Sequence, residues 1–226
     1  MLLALRWLPE THAPARRAST PLSSALADYA ALLRHASFMR YTLCVTFLYV
    51  GVYAFIAGSP MVYIEHFHVD AQHYGWLFAV NILGVMGLSF VNRRLVTRFS
   101  LDTLLRAATF GAAGAMLTTV FLVAFDIGGL WGLVVPVFVF FSTNGIVAAC
   151  ATAAALDGVS DRAGSAAALI GSLQYGSGIV SSLLLAWLSD GTARAMVGVM
   201  AAFALGAAAM AFWRVKALPE PAESQA

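Results

Sequence analysis

Charged residues are scarce in this sequence, and lysine is almost absent. Only 11% of the 226 residues are Asp, Glu, Lys or Arg, well under the quarter or so that a water-soluble domain spreads over its surface. Lysine occurs once, as Lys216 in the C-terminal tail. A phosphate-binding loop needs a lysine directly after its glycine-rich turn, so no nucleotide-driven motor is present. Cysteine occurs twice, as Cys44 and Cys150, each within an apolar run. That excludes a disulfide framework and a zinc site and leaves two buried, inert thiols. Nothing resembles a nucleophile elbow, and the histidines stand outside the apolar runs, so no hydrolytic triad is expected. Glu65, His66, His68 and His73 share one loop, but their spacing matches no metal site and they are expected to be solvated. No enzyme, cofactor, metal or nucleic-acid partner is therefore expected. Met1 to Trp7 carries Arg6 within it and lacks a basic leader and a small-residue cleavage site, so it is not expected to act as a signal peptide.

What is present in abundance is apolar sequence. Hydrophobic residues make up 61% of the chain, and the mean hydropathy is +0.82, the composition of an integral membrane protein. The runs have helical length and no period-two alternation, which predicts an α-helical bundle. Six spans are expected, at Tyr41–Ile64, Gly75–Val91, Thr103–Phe125, Leu130–Leu156, Ser165–Leu188 and Ala193–Trp213. They divide the chain into an N-terminal segment (1–40), in which a polar prelude from residue 8 leads as a linker to a short juxtamembrane helix from Ser23 to Arg34, a transmembrane bundle (41–213) and a cytoplasmic tail (214–226). The prelude is rich in Ser, Pro and Arg and needs no core of its own. Arginine outnumbers lysine twelve to one, a ratio that suggests a GC-rich bacterial genome.

Positive charge orients the spans. With the prelude in the cytoplasm, Arg6, Arg16, Arg17, Arg34, Arg40, Arg93, Arg94, Arg98, Arg106, Arg162, Arg214 and Lys216 share one side, and only Arg194 lies on the other. Cytoplasmic loops carry such an excess, so both termini are expected there, in a bacterial inner membrane. Trp76, Trp131, Trp187 and Trp213 fall at span ends, where an amphipathic ring prefers to sit. Pro60 is expected to interrupt the first span and Pro136 to distort the fourth. Rows of small residues, Gly198-Ala202-Gly206 and Ala167-Gly171, suit close helix packing.

The spans also contain uncharged polar groups. Thr42, Thr46, Tyr49 and Tyr53 follow one another at helical spacing on one stripe of the first span. Asn81 lies in the second span, Ser142, Thr143 and Asn144 in the fourth, and Gln174, Tyr175, Ser177 and Ser181 in the fifth. Hydrocarbon satisfies none of them, so the bundle is expected to gather them around an interior cavity suited to neutral or amphipathic solutes. Thr46, Tyr49, Tyr53, Asn81, Asn144, Gln174 and Tyr175 are the candidate substrate-contacting residues. The carboxylates all fall at span ends, so no titratable acid sits in mid-membrane.

These segments also resemble a known family. Residues 55–63 (FIAGSPMVY) and 74–81 (YGWLFAVN) are similar to the seventh and eighth helices of the Bcr/CflA drug:proton antiporters of the major facilitator superfamily. Asn92-Arg93-Arg94 through Arg98 resembles the inner loop that follows them. Thr143-Asn144-Gly145 and residues 163–174 are similar to helices ten and eleven, and Leu8-Pro9-Glu10-Thr11 to the residues just after helix six. The resemblance implies the C-terminal six-helix half of a multidrug or small-solute efflux transporter, working by alternating access with proton antiport. It implies as partners a lipid bilayer, a small-molecule substrate and an N-terminal six-helix half, on the same or a separate chain, without which transport is not expected. The competing expectation is an autonomous six-helix protein that dimerises as a pore or facilitator.

Overall fold

The computed structural model describes residues 22–189 and 191–213. The Leu8–Thr11 motif, Arg6, Arg16, Arg17, Asp190, Arg214, Lys216 and the tail 214–226 lie outside the described residues. Among those described there is no strand, and six helices are long and apolar enough to cross a membrane. The protein is a multi-pass α-helical membrane protein.

A short helix, α1 (Leu22–Arg34), comes first. His35 ends it and caps the next helix, its ring Nδ1 accepting from the Phe38 N–H at 3.1 Å. The first crossing, α2, spans Ala36–Pro60 and begins inside the segment assigned to the prelude. Gly58-Ser59-Pro60 does not interrupt it. Pro60 has no N–H to donate, and the chain winds on as a π-helical segment, Met61–His66, after which Phe67 N–H reaches back five residues to Val62 O at 3.1 Å. Buried Tyr63 anchors that segment, its ring edge-on to Phe55 at 6.0 Å.

The remaining crossings are α3 (Ala71–Leu95), α4 (Leu101–Ala124), α5 (Gly129–Asp157), α6 (Ala163–Leu188) and α7 (Ala193–Phe212). The second crossing exceeds its expected bounds at both ends. Asn92, Arg93 and Arg94, expected in a loop, form its last turn, because the aliphatic stems of the arginines let the helix run on past the hydrocarbon edge. Helix α5 passes Pro136 without a break.

Two helices form the centre. The apolar window of α5 is 72% buried and that of α2 61%, against 11% for α3 and 17% for α6. Helix α2 packs on α7, α6 and α5; α5 packs on α4 and α3; α4 also packs on α7. Helices α3 and α6 therefore flank the central pair, each against one main neighbour.

Small residues decide where backbones meet, but not the rows expected. A Cβ on Gly145 would stand 2.7 Å from Val85 O and against the Ser89 hydroxyl, and one on Gly84 would strike Phe138 at 2.7 Å, so α3 and α5 cross at these two glycines. Of the anticipated rows, only Gly206 is in contact, against Phe47. A Cβ at Gly171 or Gly198 would meet nothing within 4 Å, and Ala167 and Ala202 are exposed. The spacing identifies small faces, whereas helix order decides which faces are covered.

At the basic end, Arg40 of α2 pairs with Asp102 of α4 and donates to the last carbonyls of α7, Nε to Met210 O at 3.1 Å and Nη2 to Ala211 O at 2.8 Å. Arg106 pairs with Asp102 at 2.5 Å and donates to Ala211 O at 3.2 Å. Helix α1 is not a free linker either: Leu32 is fully buried, and Asp28 pairs with Arg162 at 3.2 Å. Its apolar face docks beneath α2 and α6.

Candidate functional site

The polar residues of the spans divide into two groups. Ser142, Thr143 and Ser177 each donate to a carbonyl three or four residues back in their own helix, at 2.7, 2.7 and 2.6 Å. Such hydroxyls satisfy themselves locally and present little to a solute. The second group has no such outlet. Thr42 Oγ1, Thr46 Oγ1, Asn144 Oδ1 and Ser181 Oγ are buried without a hydrogen-bond partner among the described residues.

Five of the seven candidate substrate residues come together. The Tyr49 hydroxyl on α2 faces the side-chain amides of Asn144 on α5 and Gln174 on α6. Tyr175 lies close enough to act on both Tyr49 and Tyr53. The Tyr49 and Tyr53 rings are 6.2 Å apart and tilted by 57°. Tyr53 also lies against Gly178 of α6, where a Cβ would stand 3.4 Å from its ring. Helical geometry explains this convergence. On α2, Cys44 and Gly51 turn toward α7, and the Thr42-Thr46-Tyr49-Tyr53 stripe lies on the far side of the cylinder, toward α6. On α6, the buried residues Ala166, Ile170, Ser177 and Ser181 recur at helical spacing, with Gln174 on the same stripe.

Thr46 lies one turn below Tyr49 and is buried. Asn81 stands apart on α3: it is buried, its Nδ2 donates to its own Leu77 carbonyl at 3.3 Å, and it makes no hydrogen bond to the five. In the loop motif, Asn92 is buried with its Oδ1 3.7 Å from the Cys150 thiol, and Arg93, Arg94 and Arg98 are exposed. At the start of α3, His73 lies within 3.5 Å of the N-cap residue Asp70, and among the described residues no three of His, Cys, Asp and Glu gather as a metal site.

Sequence reading did not find the Arg40–Asp102–Arg106 cluster, because its members come from two helices that are separated by a whole crossing in sequence. It also did not find the hydroxyl pair Ser59–Tyr74, at 2.9 Å, which ties the end of α2 to the start of α3. The one available signal was that Asp102 and Arg106 stand four apart on one helix.

Six crossings with phenols and amides converging from three helices define a polytopic helical membrane protein with a polar wall inside its bundle. The chain belongs to the Major Facilitator Superfamily, whose family model matches residues 1–182. It is 28% identical over 195 residues to a bicyclomycin resistance protein homolog of Haemophilus influenzae, covering 86% of this chain and 49% of that protein. It is 33% identical over 202 residues to an uncharacterised MFS-type transporter, YdgK, of Bacillus subtilis, covering 88% and 49%. To multidrug resistance protein D of Escherichia coli it is 30% identical over 179 residues, covering 79% and 44%. The chain thus spans about half the length of the curated relatives it matches. The first and third of these bear out the resemblance to the Bcr/CflA branch, and the superfamily is one of transporters, not enzymes.

Proposed function

We propose that this chain supplies the C-terminal six-helix half of a Bcr/CflA-type efflux transporter, which exports drugs or other small solutes by alternating access with proton antiport. The observation that carries the reading is the meeting of Tyr49, Tyr53, Asn144, Gln174 and Tyr175 from three helices on one uncharged wall. Phenols offer flat apolar faces with a polar tip, and amides offer both donors and acceptors. Such a wall suits amphipathic, uncharged or delocalised solutes. The Asn144 Oδ1, buried without a partner among the described residues, is an acceptor that a solute could use only once the wall opens.

The other wall is an N-terminal six-helix half, on the same or a separate chain. The shallow burial of α3 and α6 supports this, since both helices lie outside the central pair and present long faces to a neighbour. The basic end is the cytoplasmic one, in a bacterial inner membrane. The described carboxylates sit at helix ends, Glu65, Asp70 and Asp126 at one and Asp28, Asp102, Asp157 and Asp161 at the other, which supports a proton-carrying acid in the other half. Rocking of two halves about a midplane site then moves solute.

The test is substitution in the complete transporter. Tyr49→Phe, Tyr53→Ala and Asn144→Ala should each change resistance to some solutes of a panel and leave others, with membrane levels unchanged. The six-helix chain alone, reconstituted in liposomes, should show no proton-linked drug flux. If all three substitutions leave every solute unaffected, the polar wall is not a binding surface.

A further inference from the structure

The end of the bundle opposite the basic clamp carries a second recess, unconnected with the polar wall. It holds about 270 Å³ between the π-helical end of α2, the α4–α5 turn and the start of α7, and His66, Asp126, Thr192 and Arg194 line it. Arg194 is the single described basic residue, histidines aside, at this end of the bundle. No described carboxylate lies within ion-pair distance of it, and both Arg194 and Asp126 are exposed. The recess continues into a groove of about 430 Å³ between α4 and α7, and Val123 and Arg194 line both. Past Arg194 the groove is apolar: Val120, Ala124, Val197 and Gly198.

Three features fit one another. A cation and an anion share the mouth. An apolar channel leads from it along the membrane-embedded faces of two helices. Exposed Phe121 and Phe125 at the end of α4 and Trp131 at the start of α5 mark the water–hydrocarbon boundary at this end of the bundle. Gly198 forms part of the groove because it has no side chain: a Cβ there would meet no atom within 4 Å.

We propose that this recess and groove bind one phospholipid of the adjoining leaflet, a zwitterionic one with an amine in its head group. Its phosphate meets Arg194, as guanidinium groups favour phosphate. Its ammonium meets Asp126, and an acyl chain lies over Gly198 between α4 and α7. The ion pair of the lipid matches that of the mouth, and an anionic lipid without an amine would leave Asp126 facing like charge. The site stands independently of the transport reading, because none of its residues belongs to the polar wall.

The test is photo-crosslinking in bacterial membranes that contain the full chain, with phosphatidylethanolamine or phosphatidylglycerol carrying an acyl-chain diazirine. Phosphatidylethanolamine should label residues 120–124 and 194–198 about fivefold above the exposed face of α3, the ratio that about 1 kcal/mol per surface charge represents. Arg194→Gln and Gly198→Leu should each return the labelling to the α3 level, the second by filling the groove without touching the fold. Asp126→Asn should remove the preference for phosphatidylethanolamine over phosphatidylglycerol. Equal labelling of the groove and α3, or labelling unchanged in both Arg194→Gln and Gly198→Leu, would mean bulk lipid contact only and overturn the proposal. Equal labelling by the two lipids in the unsubstituted chain would overturn the zwitterion assignment.

Discussion

Single residues in this bundle matter through what stands opposite them. Glycine gives the sharpest contrast. At Gly145 an added methyl would press on the Val85 carbonyl of α3, which is backbone and cannot swing aside. Overpacking costs about 1–3 kcal/mol, and alanine recovers about 1 kcal/mol of helix propensity. Gly145→Ala should therefore lose up to about 2 kcal/mol in reversible unfolding in micelles. Gly198→Ala, in open space, should be neutral or gain up to about 1 kcal/mol. If the two variants behave alike, the α3–α5 crossing is wrongly placed. Asp102 is a second case. The Arg40 side chain is only 9% exposed and Asp102 is its carboxylate partner. Asp102 is itself about one-third exposed, so the cost of losing it falls between that of a surface pair and that of a buried one. Asp102→Asn should lower stability by about 2 kcal/mol, with Arg40 still held by the Met210 and Ala211 carbonyls. No loss on chaotrope titration would show that those carbonyls suffice.

At the scale of elements, the six crossings were legible because each is a local property: a run of apolar residues long enough to cross the bilayer, with every backbone bond made inside the segment. Helices α5, α6 and α7 begin and end within two residues of the bounds expected. The misjudged elements were those whose fate depends on neighbours. Met61–His66 remains helical because Tyr63 is clasped by Phe55 and Tyr74, neither of which a local reading of Pro60 takes into account. Helix α1 was expected as a short juxtamembrane helix in a prelude that needs no core, yet it is docked by Leu32, with Tyr29 packed alongside. Leu32→Ala should cost about 2 kcal/mol of that docking, at the low end for a buried leucine. Limited proteolysis should then cut within Leu22–Arg34 in the variant and spare the parent. The surface pair Asp28–Arg162 should add little, about 0.5 kcal/mol.

For the whole molecule, sidedness is the testable consequence of threading six times. In intact cells, single cysteines replacing Arg98 or Arg162 should react only with a permeant thiol reagent, and cysteines at Asp126 or Arg194 also with an impermeant one. A reversed pattern would refute the assignment of the basic end to the cytoplasm. The two central helices, α2 and α5, carry Tyr49, Tyr53 and Asn144, and α6 adds Gln174 and Tyr175, while α3 and α6 remain shallowly buried at the flanks. That asymmetry is expected of a body that works against a second one.

The sequence by itself determined the number of crossings and which ends share a side, because hydrophobicity, helical hydrogen bonding and arginine placement act within single segments. It also marked the polar stripe of α2, since helical spacing alone puts Thr42, Thr46, Tyr49 and Tyr53 on one line. Only the tertiary structure decided which stripes meet. Tyr49 finds Asn144 and Gln174 while Asn81 folds back on its own helix, and Gly145 is pressed while Gly198 is open. In lipid, one apolar helix face is nearly as good a neighbour as another, so lateral pairing follows from the shapes of all six helices together and is not written in any one of them.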